Sequence, residues 1–219
     1  IEYNTKIFRQ ERVKQIISHF EMLLNTIISD PAKSINTIKI LNSEEEKNLL
    51  YKFNYTDAVY PEDKTIISLF EEAAGRYPGN TAVVFKDKTL TYSELNLSSG
   101  NIAAYITQMY NVTPGEPVGV LVSPSEKTIE ILLAILKTGG AYVPVDPEYP
   151  DERIKHILSE SKTQIVITDD ANKDRLQSII NELNSECRIL ITGELSLDDL
   201  IPVKRDISPD STAYIIFTS

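Results

Sequence analysis

One cysteine, two histidines and no long apolar run occur among the 219 residues, and each scarcity closes a class of function. Cys187 alone allows no internal disulfide and leaves too few thiols for a structural zinc site, which suits a reducing compartment; a cytoplasmic location is expected. No stretch approaches the roughly 18 apolar residues of a membrane span. Ile1-Glu2-Tyr3-Asn4 is not the basic-then-apolar opening of an exported protein, so a soluble chain without a membrane partner is expected. Positive charge is short too. Lys and Arg number 22 against 32 Asp and Glu, a net −10 that repels phosphate backbones, and the densest basic neighbourhood is the pair Lys204-Arg205. No nucleic-acid partner is expected. A start on Ile rather than Met points to an excerpt from something longer.

What is present supports a core: 42% of the residues are hydrophobic, enough for one large domain or a domain with an appendage. Val13, Ile16, Ile17, Phe20, Leu23, Leu24, Ile27 and Ile28 recur at helical spacing, predicting an amphipathic helix over 8–29 that Asp30-Pro31 ends. Ile1–Thr5 reads as a short strand before it, and Ile35–Leu41 as an extended connector after it. Ser43-Glu44-Glu45-Glu46 reads as a capping box opening a helix over 44–51, its acids suiting a helix N-terminus better than a metal.

From Thr65 onward, helices and short apolar runs alternate. Helix 65–77 leads to a hairpin at 81–90 turning on Lys86-Asp87-Lys88, then to helix 92–110 opened by the box Thr91-x-x-Glu94. Apolar runs follow at 117–122, 141–145, 164–168, 188–191 and 213–217, separated by helices 124–137, 151–161 and 172–184. Ser123 and Pro124 read as the cap and first residue of helix 124–137, and Gly139 as its left-handed stop. This alternation is the pattern of α/β folds: βαβ units with a mainly parallel sheet flanked by helices, here with an N-terminal strand-helix appendage. Ligands of such sheets gather at the carboxyl ends of strands, here Ser123-Pro124, Asp146-Pro147, Thr168-Asp169, Thr192-Gly193 and Thr218-Ser219.

Three blocks occur in order: Leu90-Thr-Tyr-Ser-Glu-Leu95, Leu136-Lys-Thr-Gly-Gly-Ala-Tyr-Val-Pro-Val-Asp146 continued as Pro147-x-x-Pro150-x-x-Arg153, and Ala213-Tyr-Ile-Ile-Phe-Thr-Ser219. They resemble the first three core motifs of the amino-acid adenylation domains of nonribosomal peptide synthetases, members of the AMP-binding, adenylate-forming superfamily. The second block is highly specific; the first alone is weak. Ile1–Thr5, the long helix and Ile40–Lys47 resemble the end of a condensation domain running into its linker. The resemblance implies residues 1–42 as a condensation tail and linker, and 43–219 as the N-terminal part of the large adenylation subdomain, ending at the entrance to a phosphate loop.

The resemblance further implies that the parent activates an amino acid with ATP and magnesium as aminoacyl-AMP. It then loads the product on the phosphopantetheine thiol of a carrier protein domain, beside a condensation domain. Thr218 and Ser219 match the family's phosphate-loop entrance and are the residues expected to contact ATP; the glycine-rich stretch and lysine that follow in the family lie downstream, as do its substrate pocket and catalytic lysine. No catalytic residue and no metal ligand is therefore expected in this chain, and the 219-residue piece alone is expected to be inactive. Its sheet edge and the apolar face of helix 8–29 lead us to expect self-association of the piece. An acyl-CoA or aryl-acid ligase, or a non-catalytic α/β interaction module, remain the alternatives.

Several residues have plainer readings. Gly139-Gly140 reads as helix termination and tight entry into a strand, and Tyr142, Pro144, Asp146 and Pro147 as the fixed crossing from strand to helix, with Asp146 capping or pairing with Arg153. His19 and His156 lack Cys or Asp at ligand spacing. Cys187, with Arg188 and the more distant Lys173 as its nearest basic residues, reads as a neutral thiol.

Overall fold

The computed structural model describes residues 1–195 and 205–218. Lys204 and Ser219 lie outside the described residues. The chain divides into two units, Ile1–Tyr60 and Pro61–Ser219.

In the first unit, α1 spans Gln10–Ser29. The strand expected over Ile1–Thr5 is instead a turn organised by Asn4, whose carbonyl accepts from Ile7 and Phe8 (both 3.0 Å) while its side chain accepts from Lys6 N–H (2.9 Å). Asparagine makes such turns readily, and here that wins over the β-propensity of its neighbours. The connector after α1 contains a 3₁₀ turn, Ile35–Thr37, closed by the Thr37 hydroxyl on the Ser34 carbonyl (2.8 Å). The capping box is displaced by one residue. Asn42 caps α2 (Ser43–Lys47), accepting from Glu44 and Glu45 N–H, while Glu45, not Glu46, reaches back to Asn42 N–H (3.1 Å). Asn is as good a cap as Ser, and choosing it puts Ser43 inside the helix. The helix expected over 44–51 widens after Lys47 into a π turn, Asn48–Lys52, where the Asn54 amide donates to the Leu49 and Leu50 carbonyls at 2.9 Å. Glu45 also lies 2.9 Å from His19 Nε2; this contact, followed by the Asn42 N–H, holds its carboxyl below the ordinary value.

The second unit opens with α3 (Ile66–Arg76), capped by Thr65, and the antiparallel hairpin β1 (Thr81–Phe85) and β2 (Lys88–Thr91), turned at Lys86 with φ 53°. The expected box holds at α4 (Tyr92–Tyr110): Thr91 N–H and hydroxyl both meet Glu94 Oε2 at 2.8 Å, and Glu94 N–H meets Thr91 Oγ1 at 3.2 Å. Next come β3 (Pro117–Leu121), α5 (Glu126–Thr138), β4 (Ala141–Pro144), α6 (Asp151–Glu160), β5 (Ile165–Thr168), α7 (Lys173–Glu182) and β6 (Arg188–Ile191). The four last-named strands form a wholly parallel sheet in the order β4-β3-β5-β6.

Period-2 alternation sorts the strand side chains onto two faces. Val118, Val120, Ile165 and Ile167 pack with Ile102, Ile106, Ile131 and Ile135 of α4 and α5, whereas Leu121, Val143 and Val166 pack with Ile154, Ile157, Leu176 and Ile179 of α6 and α7. The result is the expected α/β fold, a parallel sheet covered on both faces. The centre of β3 is Gly119, where a Cβ would stand 2.9 Å from Val166 Cγ2, so β5 can close on β3 only against glycine there.

Two expectations in this unit change. Helix 124–137 begins at Glu126, with Ser125 N–H on the Thr128 hydroxyl (3.2 Å); Ser123 and Pro124 stay outside, the Ser123 hydroxyl accepting from Asn172 Nδ2 (3.1 Å) and its N–H meeting Asp169 (2.7 Å) in place of the helix. The run 213–217 makes one parallel bridge, Tyr142 with Tyr214, instead of a full strand.

Candidate functional site

The carboxyl ends of β3, β4 and β5 and the segment Ala213–Thr218 converge on one edge of the sheet. Between β3 and β5 the polar groups serve one another. Thr168 Oγ1 donates to the Leu121 carbonyl (2.7 Å), Asp169 accepts from Ser123 N–H, and Asn172 Nδ2 donates to Asp169 Oδ1 (2.7 Å) and to Ser123 Oγ (3.1 Å). Burial works against the charge on Asp169, yet the hydrogen bonds from Ser123 and Asn172 together keep its carboxyl below the ordinary value. Beside this network lies an open cleft of ≈ 570 Å³, lined by Lys86, Lys88, Ser125, Lys127 and Asp170 among others. Both signs of charge border it, and Lys88 is already paired with Glu126.

At the end of β4 the loop 145–150 is pinned from α7. Arg175 donates to the Pro147 carbonyl, to the Tyr149 carbonyl (2.6 Å) and to Asp151 Oδ1 through Nε (2.8 Å) and Nη2 (2.6 Å). Asp146 accepts from Glu148 N–H (2.8 Å), an Asx turn that starts the descent toward α6. The expected pairing of Asp146 with Arg153 gives way to this turn. Arg153 Nη2 instead reaches the Thr218 carbonyl at 2.9 Å, sixty-five residues away in sequence.

Thr218 is held there by the segment before it. Tyr142 N–H donates to Ala213 O (3.1 Å), Ile215 N–H donates to Tyr142 O (3.0 Å), and the Tyr142 and Tyr214 rings stack at 5.5 Å. Ile215 and Phe217 pack on the α6–α7 core, and His156 stands edge-on to the Phe217 ring at 6.3 Å. Of the two residues singled out for ATP, Thr218 is thus placed at the carboxyl edge, and Ser219 lies outside the described residues. Gly139 adopts φ +85° as the left-handed stop of α5.

A model of AMP-binding enzymes matches residues 70–219, and one of condensation domains matches residues 1–50. The chain belongs to the AMP-binding enzyme family. The two matches follow one another as at the junction of a condensation and an adenylation domain in a nonribosomal peptide synthetase. This AMP-binding chain is 37% identical over 219 residues to bacitracin synthase 3 of Bacillus licheniformis, with all of this chain and 3% of that protein covered. It is 37% identical over 222 residues to gramicidin S synthase 2 of Aneurinibacillus migulanus, covering 5% of that protein. It thus spans only a small fraction of the length of these relatives. Among solved structures, the nonribosomal peptide synthetase FmoA3 in its α-methyl-L-serine-AMP-bound form is 25% identical, with TM-score 0.65, covering 96% of this chain and 24% of that one.

Two further buried or bridging residues were not singled out from the sequence, one without a local signal and one with. Arg175 acts on partners 24 to 28 residues away, and no spacing rule links them. Lys137, inside the second motif, is 8% exposed and donates to the Asn96 carbonyl (2.8 Å) and Oδ1 (2.6 Å), with the Phe70 ring 5.7 Å from its ammonium. Burial pushes its pKa below the usual lysine value, against the pull of Glu71. A Lys amid apolar helical positions is the signal that finds such a group. Cys187, half-buried before β6, has its thiol pushed up to about 11 by burial, as the neutral-thiol reading requires.

Proposed function

We propose that the protein carrying this sequence is an amino-acid-activating ligase of a nonribosomal peptide synthetase, acting in the cytoplasm in the biosynthesis of a peptide antibiotic or other secondary metabolite. Residues 1–42 are read as the tail of a condensation domain with its linker, and 43–219 as the first part of the adenylation domain. The observation that carries the reading is the placement of Thr218 at the carboxyl edge of a parallel sheet, at the end of the third ordered motif. Relatives named as peptide-antibiotic synthases along the whole chain support the amino-acid substrate.

The edge suits a nucleotide phosphate: a guanidinium, Arg153, stands at it, and the backbone past Ile215 has left the sheet. Thr218, with Ser219 by resemblance, would meet the phosphates of ATP, whose bound form supplies the activated α-phosphorus for attack by a carboxylate. Magnesium would arrive on those phosphates, since among the described residues no group of three His, Cys, Asp or Glu side chains gathers to hold a metal. A carrier domain's phosphopantetheine thiol would take the aminoacyl group, with the condensation domain as neighbour. Among the described residues, no helix is long and apolar enough to cross a membrane.

Amino-acid-dependent exchange of pyrophosphate into ATP, run with the natural polypeptide and a panel of amino acids, tests this reading. Exchange with one or a few amino acids is expected. Exchange only with aryl or fatty acids would replace it with the acyl or aryl ligase alternative. Separately, the 219-residue piece is expected to self-associate, through an α1 face on which Phe20 is 56% and Ile28 75% exposed. A monomeric mass by light scattering at high concentration would count against that.

A further inference from the structure

The segment that carries Thr218 to the edge is held to the sheet by a single rung, and the reason lies in β4. Successive residues of a strand address opposite neighbours. Ala141 and Val145 donate toward β3, to Glu116 O and Val120 O at 2.9 Å each, whereas Tyr142 exchanges its bonds with Ala213 and Ile215. By that alternation Pro144 faces the 213–217 segment. A further parallel rung would require its N–H for the Ile215 carbonyl, and proline has none. Pairing therefore stops at the bridge between Tyr142 and Tyr214.

Three residues beyond Ile215, the Arg153 guanidinium donates to the Thr218 carbonyl at 2.9 Å. Arg153 is itself fixed. Its N–H donates to the Pro150 carbonyl (2.9 Å) in the first turn of α6, and the loop before it is clamped by Arg175 at Tyr149 and Asp151. We propose that Arg153 is a positioning residue for nucleotide binding: three residues past the carbonyl that Pro144 leaves without a sheet donor, it donates to Thr218 O and fixes the backbone where strand passes into phosphate-binding loop. The proposal rests on the nucleotide reading above. A sheet rung would keep residues 216–218 in the plane of the sheet. A side-chain donor from α6 fixes the same backbone while letting it turn away toward a ligand, and its charge makes the bond stronger than a neutral rung.

The test uses the natural polypeptide carrying this sequence, with Arg153→Ala, Arg153→Lys, and Arg153→Ala combined with Pro144→Ala. ATP affinity is read by calorimetry without amino acid, KM values by pyrophosphate exchange, and backbone order by amide hydrogen exchange at Phe217 and Thr218. Arg153→Ala is expected to weaken ATP binding and raise KM for ATP about tenfold, the worth of one charge-assisted hydrogen bond, with KM for the amino acid within about twofold. Amide exchange over 217–218 should quicken. Arg153→Lys should recover part of the loss, and so should Pro144→Ala in the Arg153→Ala background, because the restored N–H can pair with Ile215. ATP affinity unchanged in Arg153→Ala would overturn the proposal, as would equal losses for ATP and amino acid with no recovery in either second variant. Wild-type protein that binds no ATP would instead sink the nucleotide reading, and this proposal with it.

Discussion

Adjacent glycines at the end of α5 are required for different physical reasons, and substitution can separate them. Gly139 sits at φ +85°, and a Cβ there would have ordinary room, 3.6 Å from Pro114 Cα. Its demand is conformational: placing an L side chain in the left-handed region costs roughly 1–2 kcal/mol, less for Asn, which bonds its own backbone there. Gly140 has no such dihedral. Its Cβ would stand 3.0 Å from Val112 Cγ1 and 3.3 Å from both Glu116 O and Ile135 Cγ2, in a place where Val112 and Ile135 are each 0% exposed. Overpacking of that kind costs about 1–3 kcal/mol. We therefore expect Gly139→Ala to destabilise by about 1–2 kcal/mol and Gly139→Asn by about half as much. Gly140→Ala should cost about 1–3 kcal/mol and, unlike Gly139→Ala, should couple favourably to Val112→Ala, with an interaction of at least about 0.5 kcal/mol. Urea midpoints followed by far-UV circular dichroism give each value. If Val112→Ala relieved Gly139→Ala instead, or if Asn at 139 were no better than Ala, the division of roles would be wrong.

Thr91→Ala removes the hydroxyl that accepts from Glu94 N–H and leaves the Thr91 N–H bond to Glu94 Oε2 in place, so it should lower stability by about 1 kcal/mol in the same assay; an unchanged midpoint would refute the cap. Because burial raises the Cys187 thiol to about 11, it stays protonated at neutral pH, and its alkylation rate should still be climbing above pH 9; a plateau near the free-cysteine value of about 8.5 would contradict this. A polypeptide of residues 1–219 alone should show no amino-acid-dependent pyrophosphate exchange above a protein-free control, since the family's loop donors to the phosphates follow a pair like Thr218-Ser219. Exchange by that polypeptide, with host enzymes removed, would overturn it.

The sequence made the sheet and its covering helices readable because local and global signals agree over residues 61–191. Apolar runs of four or five residues must be buried strands when helices with one apolar stripe separate them, and Thr91-x-x-Glu94 marks a helix start that nothing competes for. The misplaced starts come from competition. At 42–46, two residues could cap and two acids could answer, and Asn42 with Glu45 wins over Ser43 with Glu46. At 123–125, two serines could cap, and Ser125 starts the helix while Ser123, N–H and hydroxyl both, is engaged by Asp169 and Asn172, more than forty residues away. Frame choices of this kind are settled by tertiary partners, which spacing alone cannot supply.

The edge that bears Thr218 was readable by position and not by mechanism. Motif order and the carboxyl-end rule lead to it, but the single rung that reaches it depends on which side of β4 each residue addresses. That parity becomes visible once Ala141 and Val145 are seen bonded to β3. Pro144 then changes meaning. Read along the chain it shapes the crossing from strand to helix; read across the sheet it is a missing donor on the side of residues 213–217. The arginine nine residues later, within the same motif, meets the backbone that this absence releases. The two positions form one device: the proline ends the sheet where the chain must turn toward a ligand, and the arginine limits how far it turns.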